Sequence, residues 1–178
     1  EQLMSSQRTR KLRNAVLATA QNELGGLDLL VNNAGVGAIG PFRKASVARL
    51  RRVMEVNFFA AVELTRAALP MLRSGNRPMI ANVSSVLGHR AVPNKSEYAA
   101  SKFALHGFSD ALRAELARQG IDVLLVSPST TKTEFFDNVL EKKADLPWLA
   151  MGAMPADAVA RKAVKAMRTP AKKAAARK

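Results

Sequence analysis

Three short apolar stretches alternate along the chain with longer segments that have a helical period. The stretches are LDLLV at 27–31, PMIANV at 78–83 and IDVLLV at 121–126. Each is continuously apolar or rich in β-formers, which is the pattern of strands buried on both faces of a parallel sheet. The sequence therefore predicts three parallel strands.

The segments around these strands repeat apolar residues at the helical period. Gly25 ends the first helix, Ser46 suits the N-cap of the second, Gly120 suits the C-terminal glycine of the third, and the fourth begins after Pro155. The predicted helices cover 8–24, 46–72, 96–119 and 154–167.

The alternation of helix and strand indicates an α/β fold with a parallel sheet and right-handed crossovers. We expect one domain over 1–168 and a basic, disordered tail over 169–178. Residues 132–154 break the alternation with acidic residues, Pro147 and Trp148, and we interpret them as a flexible lobe.

Composition narrows the class of protein. The 178 residues are enough for one domain, and 48% are hydrophobic but only 5% aromatic, so Ala, Val, Leu and Met must form the core. The absence of cysteine excludes disulfides and thiolate chemistry and indicates a reducing compartment such as the cytoplasm. We find no apolar run long enough to span a membrane and no secretory leader.

The net charge of +14 is concentrated towards the two ends of the chain. Residues 161–178 carry eight basic residues and no acidic one, and residues 8–13 carry four more. We interpret these as a solvated helix face and a basic tail, because basic runs alone select neither base nor groove. Nucleic-acid binding is the less favoured alternative.

The chain's single tyrosine, Tyr98, precedes Lys102 by four residues on a predicted helix, so both side chains lie on one face. A nearby ammonium favours phenolate, and such a phenol can exchange a proton with a carbonyl or alcohol oxygen. Ser85 lies thirteen residues before Tyr98 at the end of the second strand, where parallel sheets bind ligands. Alone, the pair also fits an ordinary helix surface, and Ser85 also fits a hydroxyl that ties down its loop.

Four ordered motifs, LVNNAG, ANVSS, YAASK and VSPSTTKT, resemble the short-chain dehydrogenase/reductase family of the classical type, from about residue 10 to residue 168. The resemblance implies a Rossmann-like, doubly wound parallel sheet. It also implies hydride transfer between NAD(H) or NADP(H) and a small-molecule carbonyl or secondary alcohol. The sequence does not choose between the two cofactors.

The resemblance also implies the catalytic residues. Tyr98 corresponds to the family's acid/base, and Lys102 to the lysine that lowers its pKa and holds the nicotinamide ribose. Ser85 corresponds to the serine that orients the substrate oxygen, and Asn57 to the asparagine that holds a relay water. Without the resemblance, Asn57 would be interpreted as a polar break in an apolar helix.

Two segments, within LVNNAG and VSPSTTKT, resemble the family's cofactor-binding loops. The resemblance implies that Tyr98 and Lys102 also contact the cofactor. Ser129 stands where the family usually has glycine, which narrows the backbone's freedom there. The residues implied are Asn33, Ala34, Gly35, Pro128, Ser129, Thr131 and Thr133.

The stretch GVGAIG at 35–40 fits the dinucleotide fingerprint G-x-G-x-x-G, but the fingerprint must open a helix and this stretch leads into a loop. The family's own phosphate motif, T-G-x-x-x-G-x-G, does not occur in the sequence. The predicted strands correspond to the family's fourth to sixth, so only the second half of the sheet is expected. We therefore expect a fragment or truncated form with impaired activity; the alternative is an inactive remnant that serves as an interaction module.

The resemblance implies a homodimer or homotetramer through helices 46–72 and 96–119, which commonly form interfaces in the family. Residues 132–153, with Phe135, Phe136 and Trp148, are expected to cover the substrate, or else to pack under a loop. No metal site is predicted.

Overall fold

A three-stranded parallel sheet organises the computed structural model, which describes residues 2–137, 139–140 and 152–169, with side chains from residue 9 onwards. The strands lie in the order β1-β2-β3, and in their register Leu30 faces Ile80, which faces Val123. The three predicted strands are confirmed, and each begins one or two residues later than expected. Their bounds are Leu29–Asn32 for β1, Met79–Val83 for β2 and Asp122–Val126 for β3.

Four long helical segments accompany the sheet, as predicted. The first begins before residue 8, and the third gives way to a 3₁₀ turn at Ala117–Gln119. The second is not one regular α-helix, because a π-helical turn at Glu55–Phe59 divides it into α2 and α3. The α-helices are α1 Gln2–Leu24, α2 Val47–Met54, α3 Ala60–Arg73, α4 Ser96–Leu116 and α5 Ala156–Arg168.

The predicted helix boundaries have the expected chemistry. Ser46 Oγ accepts a hydrogen bond from the Arg49 backbone N–H at 3.1 Å, as an N-cap does. Gly25 follows α1 with a φ of +74°, and Gly120 follows the 3₁₀ turn with a φ of +71°. Both glycines adopt the left-handed conformation that ends a helix at little cost.

The hydrophobic core lies between the sheet and the helices α3 and α4. Leu30, Ile80 and Val123 project from the three strands towards Leu72 and Leu112 of these helices. On the other face of β1, Leu29 and Val31 are 40% and 43% exposed. The expectation that this strand is buried on both faces is therefore wrong for β1, because packing among the described residues covers only its helix side.

A second, two-stranded parallel sheet pairs β4, Thr131–Lys132, with β5, Met154–Pro155. It joins the two ends of the segment that we interpreted as a flexible lobe. Strands of two residues are too short to leave a periodic signal, so the sequence did not predict them. Trp148, most of the lobe and the expected disordered tail lie outside the described residues.

The glycine-rich stretch 35–40 is a loop, as expected. A short 3₁₀ turn at Phe42–Lys44 follows it, and the next α-helix begins only at Val47. No helix in the described part of the chain is long and apolar enough to cross a membrane.

Candidate active site

A cleft of about 1200 Å³ opens at the carboxyl ends of the strands and runs along the exposed face of β1 towards α5. It contains almost every side chain that the sequence singled out, because the loops that follow β1, β2 and β3 all meet at this edge. The predicted residues that line it are Asn33, Ala34, Gly35, Ser85, Tyr98, Lys102, Pro128, Ser129, Thr131 and Thr133.

Ser85 and Tyr98 meet in this cleft. Tyr98 lies in the first turn of α4 with its ring buried, and the Ser85 side chain lies close enough to act on the pKa of its phenol. Ser85 follows β2 in an extended conformation, and its hydroxyl also accepts a hydrogen bond from the Leu87 backbone N–H at 3.1 Å. The hydroxyl therefore ties down its loop, and its expected role in holding the substrate oxygen stays a prediction.

The electrostatics of Tyr98 differ from the expectation. Burial raises the pKa of its phenol above the ordinary value of 10.0, although the hydrogen bond from Ser85 opposes this. The Lys102 Nζ lies 5.7 Å from the ring centre and donates to the Val83 carbonyl at 2.9 Å, and its expected lowering of this pKa stays a prediction. Tyr98 therefore keeps its proton at neutral pH.

Lys102 is itself buried, and burial lowers its pKa to about 8. Its side chain reaches the cleft from one turn beyond Tyr98. An ammonium has three donors, and the Val83 carbonyl takes one of them. The remaining donors have no acceptor among the described residues and can bind an oxygen atom in the cleft.

Asn57 lies in the π-helical turn and is 1% exposed. Its Oδ1 accepts from the Val36 N–H at 2.8 Å, and its Nδ2 donates to the Val36 carbonyl and to Ser101 Oγ, each at 3.0 Å. Ser101 Oγ in turn donates to the Tyr98 carbonyl at 2.7 Å. Asn57 thus holds the loop after β1 against α4 and is more than a polar break in a helix.

Gly35 keeps the space in front of Lys102 open. A Cβ atom at this position would lie 3.4 Å from Asn57 Oδ1 and 3.7 Å from Lys102 Nζ. Asn33 and Ala34 line the cleft beside it. The preceding Asn32 is not part of the cleft lining, because its amide donates into the interior, to Asn82 Oδ1 at 2.8 Å.

The segment after β3 forms another wall. Ser129 replaces the family's usual glycine without strain, since it is not among the described non-glycine residues with positive φ. Thr131 Oγ1 donates to the Ser129 carbonyl at 2.9 Å, and Thr133 Oγ1 accepts from the Phe135 N–H at 3.2 Å. These bonds fix a backbone that is suited to meet a planar amide.

The donors and open space around Lys102 and Gly35 fit the nicotinamide and ribose of the cofactor. Among the described residues, no helix begins directly after a glycine turn at this edge of the sheet. The described residues thus fit the nicotinamide half of NAD(P) and do not provide the usual contact with its pyrophosphate.

The predicted aromatic cover is present in part. The Phe135 ring lies 5.6 Å from the Tyr98 ring, edge to face, and the Phe136 ring lies 5.4 Å from that of Phe135. Both phenylalanines line the cleft. Trp148 lies outside the described residues.

A buried ion pair that the sequence did not predict anchors the first turn of α4. The Arg49 guanidinium donates to Glu97 at 2.6 and 3.0 Å, and both side chains are almost fully buried. Burial acts to raise the pKa of Glu97, but the hydrogen bonds from Arg49 and Ser96 outweigh it, so the carboxylate stays charged. The two residues are 48 positions apart, so no local pattern connects them.

Lys95 is a second residue that the sequence analysis missed. It directly precedes α4, lines the cleft and is 6% exposed. Its Nζ lies 5.8 Å from the centre of the Tyr98 ring and 5.2 Å from that of Phe136. The sequence did contain one sign that Lys95 is unusual: it is a lysine at the N-cap position, where Ser, Thr, Asp or Asn usually occurs.

We expect Lys102 to make the stability of the protein depend on pH. Its folded pKa of about 8 lies below the ordinary 10.5, so the unfolded chain binds the extra proton between these values. Stability should therefore rise as pH increases from about 8 to about 10.5, by up to roughly 3 kcal/mol from this group, and the penalty is complete below about pH 8.

Chemical denaturation of the wild type and of Lys102→Met across this pH range isolates the effect. The difference in unfolding free energy between the two proteins should change in favour of the wild type as pH rises. Parallel curves would show that Lys102 titrates normally in the folded protein.

Comparison with known proteins places this site in a family. A family model described as short chain dehydrogenase matches residues 6–144. Retinol dehydrogenase 8 of Bos taurus is 43% identical over 118 residues, which are 66% of this chain and 38% of that protein. The uncharacterized oxidoreductase YbbO of Escherichia coli strain K12 is 41% identical over 132 residues, which are 74% of this chain and 48% of that protein.

The fold has a similar relative among solved structures. The crystal structure of a short-chain dehydrogenase from Streptomyces avermitilis superposes with a TM-score of 0.78 at 30% identity, over 89% of this chain and 62% of that one. The chain spans less than half the length of the two curated relatives above. The match of the family model to most of the sequence, together with this superposition, shows that the chain belongs to the short-chain dehydrogenase family.

Proposed function

We propose that this protein is an NAD(P)-dependent oxidoreductase that acts on a carbonyl or secondary-alcohol substrate. The observation that carries the proposal is the convergence of Ser85, Tyr98 and Lys102 on one cleft. When bound, the nicotinamide supplies or accepts the hydride. The name of the retinol dehydrogenase relative supports an alcohol or carbonyl as the other reactant.

Each residue has a role that follows from its chemistry. Tyr98 donates its proton to the substrate oxygen during reduction, and its raised pKa keeps that proton in place at neutral pH. Ser85 holds the same oxygen by a hydrogen bond. In the reverse direction the phenol must first lose its proton, so oxidation of the alcohol should speed up as pH rises.

Lys102 and Asn57 assist this proton transfer without contacting the substrate oxygen. The free donors of the Lys102 ammonium would bind the hydroxyls of the nicotinamide ribose, and Asn57 would hold a relay water near Lys102 while it fixes the loop after β1. Asn33, Ala34 and Gly35 would line one side of the cofactor. Pro128, Ser129, Thr131 and Thr133 would meet its carboxamide.

The same geometry supports weak cofactor binding by this 178-residue chain. Its described part has donors for the nicotinamide end and no glycine-turn helix for the pyrophosphate, so we propose that its activity is impaired. The choice between NAD and NADP stays open. The cysteine-free composition fits a cytoplasmic setting, which stays a prediction.

An interaction module is the second candidate, and exposed aromatic side chains favour it. Phe59 and Phe103 are each 45% exposed on the two predicted interface helices, and such rings are enriched in protein interfaces. We propose a homodimer or homotetramer through these helices. A module without catalysis would keep this assembly and show no hydride transfer.

The two candidates are separated by an assay of cofactor oxidation. The purified chain is mixed with NADPH or NADH and a panel of aldehydes and ketones, and loss of reduced cofactor is followed. We expect carbonyl-dependent oxidation that rises with cofactor concentration without saturating. A folded chain that shows none at any cofactor concentration would leave only the interaction module.

A further inference from the structure

We propose that Lys95 forms an anion-binding subsite beside Tyr98 and that the preferred substrates carry a carboxylate a few bonds from the reacting carbonyl. This inference rests on the proposed oxidoreductase function and adds a substrate class to it. It concerns a residue that none of the catalytic or cofactor-binding roles above uses.

Lys95 is buried at the wall of the cleft and has no counterion among the described residues. The side chain is 6% exposed, and no acceptor within the described part of the chain lies within hydrogen-bond distance of its ammonium. Among the described residues, no buried side-chain nitrogen or oxygen lacks a hydrogen-bond partner, so the Lys95 ammonium faces the open cleft, where an anion can bind to it.

The contacts that Lys95 makes with the described residues are too weak to offset its burial. Its Nζ lies near the faces of Tyr98 and Phe136, at 5.8 and 5.2 Å from the ring centres. These are cation–π contacts, which attract the ammonium to the ring faces. They orient the ammonium between two rings and leave its hydrogen-bond donors available to a carboxylate.

Lys95 lies about as close to the Tyr98 ring as Lys102 does. The ammonium groups of Lys95 and Lys102 lie at nearly equal distances from the centre of the Tyr98 ring, 5.8 and 5.7 Å. Lys102 is held by the Val83 carbonyl, whereas Lys95 is not held by any described acceptor. A substrate whose oxygen meets the Tyr98 hydroxyl can therefore place an anionic group on Lys95 through a short carbon chain.

The surrounding charge favours the same class of ligand. Lys132 lies on the exposed rim of the cleft, so three lysines and Glu134 are the charged side chains that line its described walls. A cleft with apolar walls and an excess of one charge concentrates ligands of the opposite charge. The chain's overall charge of +14 has the same sign.

The test compares levulinate, a keto acid, with its uncharged methyl ester as substrates of the wild type and of Lys95→Met. We expect the wild type to prefer levulinate. The substitution should lower kcat/KM for levulinate by roughly 10- to 100-fold, mainly through KM, since a charged hydrogen bond is lost. Turnover of the ester should be nearly unchanged, and Lys95→Arg should restore most of the preference.

Lys132→Met is the matched control, because it removes one positive charge from the exposed rim of the same cleft. It should have a small effect that disappears at high salt. Binding without turnover gives a second measurement: in nuclear magnetic resonance titrations with levulinate, the amide signals of 95–102 should shift in the wild type and not in Lys95→Met.

The outcomes separate this inference from the proposed function. Turnover of the ester without preference for levulinate, or equal losses for both substrates in Lys95→Met, would overturn the subsite and leave the oxidoreductase in place. A fall in kcat with a shifted pH profile would overturn it too, and would make Lys95 an electrostatic partner of Tyr98. No turnover of either substrate, or of any other carbonyl, would contradict the oxidoreductase itself.

Discussion

Tyr98→Phe is expected to lower kcat/KM for carbonyl reduction by about 10³-fold, within the range that general acid–base catalysis contributes. The substitution removes the hydroxyl that would protonate the substrate oxygen. Tyr98 is the only tyrosine of the chain, so no other phenol can take over. Cofactor oxidation at saturating carbonyl concentration measures the loss.

The ring itself should stay in place, because phenylalanine keeps the packing against Phe135. We therefore expect the free energy of unfolding to change by no more than about 1 kcal/mol, the net value of an ordinary hydrogen bond. Ser85→Ala is the companion variant and should lose less activity, since the phenol remains. Activity of Tyr98→Phe within tenfold of the wild type would contradict the proposed mechanism.

The single tyrosine also allows a direct measurement of the electrostatics. Ultraviolet titration of the phenol reports on Tyr98 alone, and its apparent pKa should lie above 10.0 in the folded protein. The same titration in denaturant should return the ordinary value.

The second large effect is expected when a glycine-turn unit is supplied. Fusing a strand, glycine turn and helix with the motif T-G-x-x-x-G-x-G before residue 1 should increase NADPH affinity by at least about 100-fold. The backbone N–H groups and helix dipole of such a unit add charge-assisted bonds to the pyrophosphate, each about 1.5 to 3 kcal/mol. Calorimetric titration gives the dissociation constants of the two proteins.

A matched fusion in which the motif's glycines are replaced by alanine controls for the added strands. It would still pair with the open edge of β1 and stabilise the fold, but it would not admit the phosphates closely. We expect its affinity to stay near that of the chain alone. Equal NADPH affinities for the glycine fusion and the chain alone would show that the described cleft does not bind the nicotinamide half.

The elements that the sequence predicted are those encoded by local patterns. Apolar runs located β1, β2 and β3, and capping residues such as Ser46 and Gly120 located helix ends. The pairing of β4 with β5 was missed, because two-residue strands carry no periodicity and their partners are more than twenty residues apart. The sequence thus predicted features that depend on neighbouring residues, and it did not predict contacts between residues distant in sequence.

The candidate site divides in the same way. The motifs brought Ser85, Tyr98, Lys102 and Asn57 to attention, and the structure places the first three in one cleft with Asn57 directly behind it. Their catalytic roles stay predictions. The raised pKa of the phenol was not foreseen, because burial is a property of the whole fold and spacing reports only which charges are near.

The π-helical turn at Glu55–Phe59 has a consequence for how relatives of this chain should be aligned and redesigned. It lets Arg49, Val53, Asn57 and Thr65, which are four, four and eight residues apart, stay on one buried side, although a regular α-helix would rotate that series steadily away. A regular α-helix over the same number of residues would rotate one half against the other by roughly 100°. The ion pair at Arg49 and the core contact at Thr65 could then not both be kept, so the length of this helix is under constraint independently of which residues occupy it.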